Sequence, residues 1–355
     1  MTNQAQVVIR SKNLHDDMAF FGKIGFLLDQ IYPSDNPEVA IISGYDLQIR
    51  LDKNCDTPPP AIHILTDSPE LINDGKTEFK SPGGTIIKVL PKTHQLQIPE
   101  TKHKFEVRKL SGNDSWVIGR AGMLYRDLIP DRLGGSIIAS HIHIPKGGPV
   151  PDMVHYHTIG FQLIFCYNGW VKLVYEDQGE PFILNAGDCV TQPPEIRHRV
   201  LEASDNLQVI EIGVPACHMT TIDHEMELPT KSYDPERKFY GQQFCHHKKE
   251  EAQWHPWRMD GFQFRDTGIN KASNGVAAVI VAQPLNSGIQ TQATSHRADI
   301  LFTFVMHGKM KLNTDGYPVK DLVKGDAFVI PPGLKYRFTE CSNDLELLEV
   351  TLPGS

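Results

Sequence analysis

The sequence has no run of 18 apolar residues, so no segment reads as a membrane-crossing helix. It has no excess of positive charge. Its 35 Lys and Arg against 43 Asp and Glu give −8 at pH 7, which offers nothing to nucleic acid or an anionic membrane surface. Its six cysteines (Cys55, Cys166, Cys189, Cys217, Cys245, Cys341) include no C-x-x-C pair. That speaks against a zinc knuckle or disulfide framework and for reduced thiols in the cytoplasm. The opening residues, MTNQAQVVIRSKNL, lack the apolar core of a signal peptide. What is present is ordinary for a globular chain: 40% hydrophobic and 22% charged residues. The length of 355 residues suffices for two or three domains. Short β-rich runs separated by 25 prolines and 28 glycines suit barrels or sandwiches better than helix bundles.

Residues 1–95 stand apart. QVVIR reads as a strand. NLHDDMAFFGKI reads as a short helix with Asn13 as N-cap and with Leu14, Met18 and Phe21 near the helical period. FLLDQIY, VAIIS and LQIRL then read as three strands. This βαβββ order resembles one module of the vicinal oxygen chelate, or glyoxalase-like, family, and AIHILTD with SPGGTIIKVL reads as an eroded second half. The resemblance implies metal ligands on the first and last strands. Gln6 and Lys88 stand near those positions, and a lysine there argues for a packing or dimerisation element instead. His63 reads as a structural or surface residue.

Residues 96–106 read as a linker, after which the chain repeats itself. Tyr125-Arg126-Asp127 matches Phe264-Arg265-Asp266, and Gly169 matches Gly308, both 139 residues apart. GDCVTQPPEIRHR matches GDAFVIPPGLKYR, and Glu211 matches Glu349, at an offset of 138. So small a slip marks an internal duplication. It divides the remainder into a first copy (107–213), a polar connection (214–257) with room for a short helix, and a second copy (258–355). In the connection His246 and His247, beside two lysines, read as solvated. Arg126 with Asp127, and Arg265 with Asp266, read as a shared structural ion pair.

The first copy carries His155, His157, Gln162 and Gly169, then Gly187, Pro193, Glu195 and His198. These spacings resemble the two motifs of the cupin family, with Glu195 where the second motif has glycine and Gln162 where many members have glutamate. The resemblance implies a mainly β chain: two tandem cupin barrels, each a double-stranded β-helix, behind the N-terminal α+β module. The physics of the strand agrees. Residues i and i+2 share a face, so His155 and His157 point together, and His198 arrives from a second strand. Three neutral imidazoles suit one divalent transition metal and leave positions open for substrate; the resemblance puts Fe(II) first, with Zn, Ni or Mn as the other choices. Gln162 is either a fourth ligand through its amide oxygen or a hydrogen-bonding group that orients water or substrate.

The second copy has Thr294, His296, Leu301 and Tyr336 at the corresponding positions, which makes no transition-metal site. His141 and His143 lie on one face of another strand of the first copy, where the 139-residue offset gives Ile280 and Ala282. On an inward face they would act as general base, as groups hydrogen-bonding the substrate or as an extra metal ligand. On an outward face they would be surface residues. Three functions stay open: a metal-dependent dioxygenase cleaving a small organic molecule; a non-oxidative isomerase or lyase using the metal as Lewis acid; and a small-molecule binding or sensor protein. A homodimer is expected.

Overall fold

The computed structural model describes residues 4–92, 96–111 and 116–354. The chain divides into two compact units, 1–95 and 96–355.

In the first unit, strand β1 (Val7–Arg10) leads to helix α1 (Leu14–Lys23), then β2 (Leu27–Tyr32), β3 (Val39–Gly44) and β4 (Leu47–Asp52). They form a sheet in the order β1-β4-β3-β2, with β1 parallel to β4. Asn13 caps α1 by accepting from the Asp16 amide at 3.4 Å. The helix lays Leu14 and Phe21 on Ile9, Ile49 and Leu51 of the sheet. A smaller sheet repeats the scheme: β5 (Ala61–Thr66) runs parallel to β7 (Ile86–Pro91), which pairs with β6 (Glu78–Lys80), and two 3-10 turns stand where α1 stood. Asp17 ties the halves by accepting from Ser11 Oγ at 2.7 Å and the Gly83 amide at 2.8 Å. Gln6 donates to Gln48 on the exposed face, Lys88 pairs with Glu78 at 3.3 Å, and His63 is exposed.

The second unit holds two barrels, each made of two facing sheets. In the first, a seven-stranded sheet carries Ile138–Ile144, Leu207–Val214 and Phe161–Asn168 side by side. It faces a sheet that carries Trp170–Tyr175, His198–Ala203 and His155–Thr158. The second barrel repeats this with Ala278–Pro284, Glu346–Leu352 and Ile300–His307 facing Lys309–Thr314 and Tyr336–Thr339. The two large sheets pack against each other through Ala139, Phe165 and Ile210 on one side and Val281, Phe302 and Phe304 on the other.

Flanking segments stitch the barrels together. Glu106–Arg108 precedes the first barrel yet pairs with Ala327–Ile330 of the second, so the first copy does not begin at 107. The connection is likewise built into the sheets. Met219–Ile222 pairs with the His155–Thr158 strand, Cys245–His247 with Cys189–Thr191, and Trp254–Pro256 with Phe262–Asp266. Its helix is a single 3-10 turn, Lys249–Glu251. His246 and His247 are not solvated, as the run of charge suggested: His246 stacks on Phe182 at 4.3 Å, and His247 accepts from Arg265 at 2.7 Å.

The Arg-Asp repeat also proves to be something other than an ion pair. Asp127 pairs with Arg132 at 3.1 Å instead. Arg126 and Arg265, both buried, reach across to the opposite barrel, where Arg126 donates to the Gly325 carbonyl at 2.8 Å and Arg265 to the Gly187 carbonyl at 2.9 Å. These are the motif glycines. They hold φ +95° at Gly187 and +89° at Gly325, which favours glycine, and so present their carbonyls to the partner barrel.

Candidate metal centre

The antiparallel register sets His155 opposite His198, and His157 follows on the same face. All three are buried, and their ligand-grade nitrogens lie within 4.8 Å of one another. Among the described residues this is the one His/Cys/Asp/Glu group able to hold a metal. Each ring is oriented from behind. His155 Nδ1 donates to the Met153 carbonyl at 2.8 Å and His198 Nδ1 to the Ile196 carbonyl at 2.9 Å. A carbonyl only accepts, so in both rings Nδ1 carries the proton and Nε2 keeps its lone pair for the centre. His157 Nδ1 meets Thr220 Oγ1 at 2.8 Å. Burial pushes all three imidazoles below their usual pKa, helped by Arg120 at His155 and by the neighbouring histidines at His157 and His198. Neutral rings are what a cation needs.

Gln162 is buried, and its Nε2 donates to Glu211 Oε1 at 2.6 Å. A carboxylate accepts only, which fixes the amide with its oxygen turned the other way. That oxygen and His155 Nε2 are buried without a protein partner, a state that costs about 1–3 kcal/mol for each polar group unless something fills the gap. A divalent cation fits the chemistry of the three imidazoles, and the buried amide oxygen is a further neutral donor in the same barrel.

Several supports were not legible in the sequence. Thr220 lies in the connection, 63 residues from His157. Asp152 is buried, accepts from the Val200 amide at 2.9 Å and from Arg120, and lies 3.7 Å from His155 Nδ1. Tyr175 stacks on His198 at 5.5 Å and accepts from Gln192 at 3.0 Å. His218 packs edge-on against His157 at 5.5 Å, with Nδ1 donating to the Pro215 carbonyl at 3.0 Å. Beside the histidines opens a cavity of about 430 Å³, lined at this end by His157, Gln162, His198 and Glu211.

His141 and His143 are not part of it, and the catalytic role expected of them is corrected. From their strand the cavity takes the alternate residues Ile138, Ser140, Ile142 and Ile144. The opposite face turns His141 toward the barrel–barrel core, where it meets Tyr167 at 5.6 Å and Phe304 at 5.8 Å and shares a hydrogen bond with Gln208 at 2.9 Å. His143 meets Asn206 at 2.9 Å. The copies are also one residue out of step here. Ser140 pairs with Glu211 and Ile280 with Glu349, so Val281 and Gln283, not Ile280 and Ala282, correspond to the two histidines.

In the second barrel Thr294 bridges to Tyr336 as His155 pairs with His198. Its cation is a side chain. Arg258 grips Glu349 at 2.7 and 2.6 Å and donates to Tyr336 at 3.0 Å. Desolvation works against the charged guanidinium, but Glu349 outweighs it and raises the pKa above the usual range. His296 shares a hydrogen bond with the Ile330 carbonyl at 2.8 Å.

No protein-family model matches the sequence, and no curated protein matches it. Solved structures do match. Salicylate 1,2-dioxygenase from Pseudaminobacter salicylatoxidans is similar at TM-score 0.52 and 15% identity, over 71% of this chain and 85% of that one. Oxalate decarboxylase from Bacillus subtilis is similar at 0.53 and 12%, over 72% and 79%. The formate complex of Lactobacillus farciminis oxalate decarboxylase is similar at 0.53 and 15%, over 72% and 89%. Identities this low speak to fold alone, and the fold shared with these enzymes is that of a bicupin, a mainly β chain of two tandem cupin barrels.

Proposed function

We propose that the chain is a metal-dependent enzyme acting on a small organic molecule, with oxygenolytic cleavage by Fe(II) as the leading chemistry. One observation carries the reading: three buried, neutral imidazoles hold their ligand nitrogens within 4.8 Å of one another beside a cavity of about 430 Å³ that Gln162 also lines, its amide oxygen buried and unpaired. Similarity in fold to a salicylate 1,2-dioxygenase supports it. His155, His157 and His198 would hold the ion, with Gln162 as fourth ligand. Bound there, Fe(II) would supply the redox chemistry with O₂. The chain's own contribution is positioning. Glu211 holds the Gln162 amide, Met153, Ile196 and Thr220 hold the rings, and the apolar wall keeps water from the reacting atoms.

The neutral donor set favours one second reading. With no carboxylate among the donors the ion keeps its full charge, which suits Zn, Ni or Mn as a Lewis acid in an isomerase or lyase. Oxygen uptake separates the two. The protein loaded anaerobically with Fe(II) and then given a panel of phenols, enols and diketones is expected to consume O₂ with at least one. No uptake with iron, but turnover of a carbonyl substrate with zinc, would favour the second.

The N-terminal unit is proposed as a glyoxalase-like module without a metal, serving homodimerisation in a cytoplasmic enzyme. Its paired strands, β1 with β4 and β5 with β7, support the kinship. Sedimentation equilibrium at the mass of one 39.9 kDa chain would remove the dimer.

A further inference from the structure

The two barrels differ at the end away from the histidines. In the first, strand register lays out the cavity in steps. Glu211 pairs with Ser140, then Val209 with Ile142, then Leu207 with Ile144. On the facing sheet Tyr175 pairs with His198, and Leu173 with Val200. All of these line the cavity. Moving away from Gln162 and His198, the wall changes from hydrogen-bonding side chains to Leu173, Val200, Leu207 and Val209. From Glu211 to Leu207 the wall runs for about 13 Å.

The second barrel is closed there. By the same registers Val200 corresponds to Phe338, Val190 to Phe328 and Val171 to Met310. The three larger side chains are buried together in an apolar cluster. None lines the cavity of that barrel, which is confined to the end holding Arg258, Leu301 and Glu349. Val171 and Val200 line the cavity of the first barrel, with Val190 buried in the apolar cluster behind it, and so leave open a throat that the duplicate fills.

We propose that the substrate has two parts: a polar head that chelates the ion and an apolar body of several carbons that lies in the throat between Val171, Leu173, Val200 and Val209. The proposal rests on the metal-dependent reading above for the head, and on the cavity alone for the body. It excludes a compact dianion as the natural substrate, because such a molecule leaves the throat unfilled and forgoes its contribution to binding.

The duplicate supplies the test. Straight-chain hydroxamates of two to eight carbons, which chelate through two oxygens, are titrated calorimetrically into the Fe(II)-loaded protein under nitrogen. Affinity is expected to rise about fourfold per methylene. In Val200→Phe the rise is lost, while the two-carbon probe, too short to reach the throat, keeps its affinity. Val171→Met is the milder substitute should Val200→Phe fail to fold, with metal content as the check on folding. In parallel, n-hexanol is titrated into the metal-stripped protein, where it is expected to bind wild type and not Val200→Phe. Equal affinity along the hydroxamate series, or hexanol binding that Val200→Phe leaves untouched, overturns the throat. Hexanol binding that Val200→Phe removes, with no hydroxamate binding at all, upholds the throat and sinks the metal reading instead.

Discussion

The two barrels share strand order, register, the motif glycines and an inward-facing glutamate, yet they surround that glutamate with different groups. In the first, Glu211 orients a neutral amide and three neutral rings leave room for an ion. In the second, Glu349 binds the Arg258 guanidinium directly, and Tyr336 completes its hydrogen bonds. The second barrel thus balances its glutamate with a cationic side chain, where the first is proposed to hold an ion. The second cannot do the same chemistry, since a guanidinium has no coordination position to share with substrate.

The largest expected contrast concerns acid. His141 sits where the second barrel has Val281, and burial, with Arg126 adding to it, lowers its pKa to about 4. An unfolded histidine takes up its proton near 6.5, so between pH 6.5 and 4 the unfolded state binds the extra proton. Stability is full above pH 6.5 and falls as pH drops through that window, by about 3 kcal/mol from this residue alone. His141→Val, the duplicate's own residue, is expected to lessen the slope of urea-derived stability over that range, leaving the part that the buried His155, His157 and His198 contribute. An unchanged slope would remove His141 as a cause.

Next come the crossed arginines. Arg126→Met and Arg265→Met each strip a glycine carbonyl of the opposite barrel of a donor and are expected to cost about 1–3 kcal/mol. Matched losses in denaturant midpoint would mean that the barrels brace one another equally. A loss in only one would break the symmetry drawn here.

The smallest effect on folding belongs to Thr220→Val. It frees the His157 ring and is expected to weaken metal binding about 10- to 100-fold while changing stability by less than ~1 kcal/mol. Competition with a chromophoric chelator would report it. Unaltered affinity would leave Thr220 with no part in holding the ring.

The His155, His157 and His198 constellation was legible because it is local: two residues apart on one strand, and a third held by a proline turn. The face of the Ile138–Ile144 strand was not. Both of its faces are covered, one by the cavity and one by the second barrel, so the alternation that would have revealed its inward side is absent. The one-residue difference between Asp127–Ser140 and Asp266–Ile280 was hidden for a related reason, since a sequence offset sees no register. Pairing of Glu106–Arg108 with Ala327–Ile330, and the hold of Thr220 on His157, join residues far apart along the chain that only folding brings together.

Metal stoichiometry tests the central contrast most directly. After anaerobic loading with Fe(II) and desalting, elemental analysis should find one ion per chain in wild type, none in His155→Ala/His198→Ala, and one in Thr294→Ala/Tyr336→Phe. Two ions per chain, or an ion that survives loss of both histidines, would contradict the assignment of the metal to the first barrel alone.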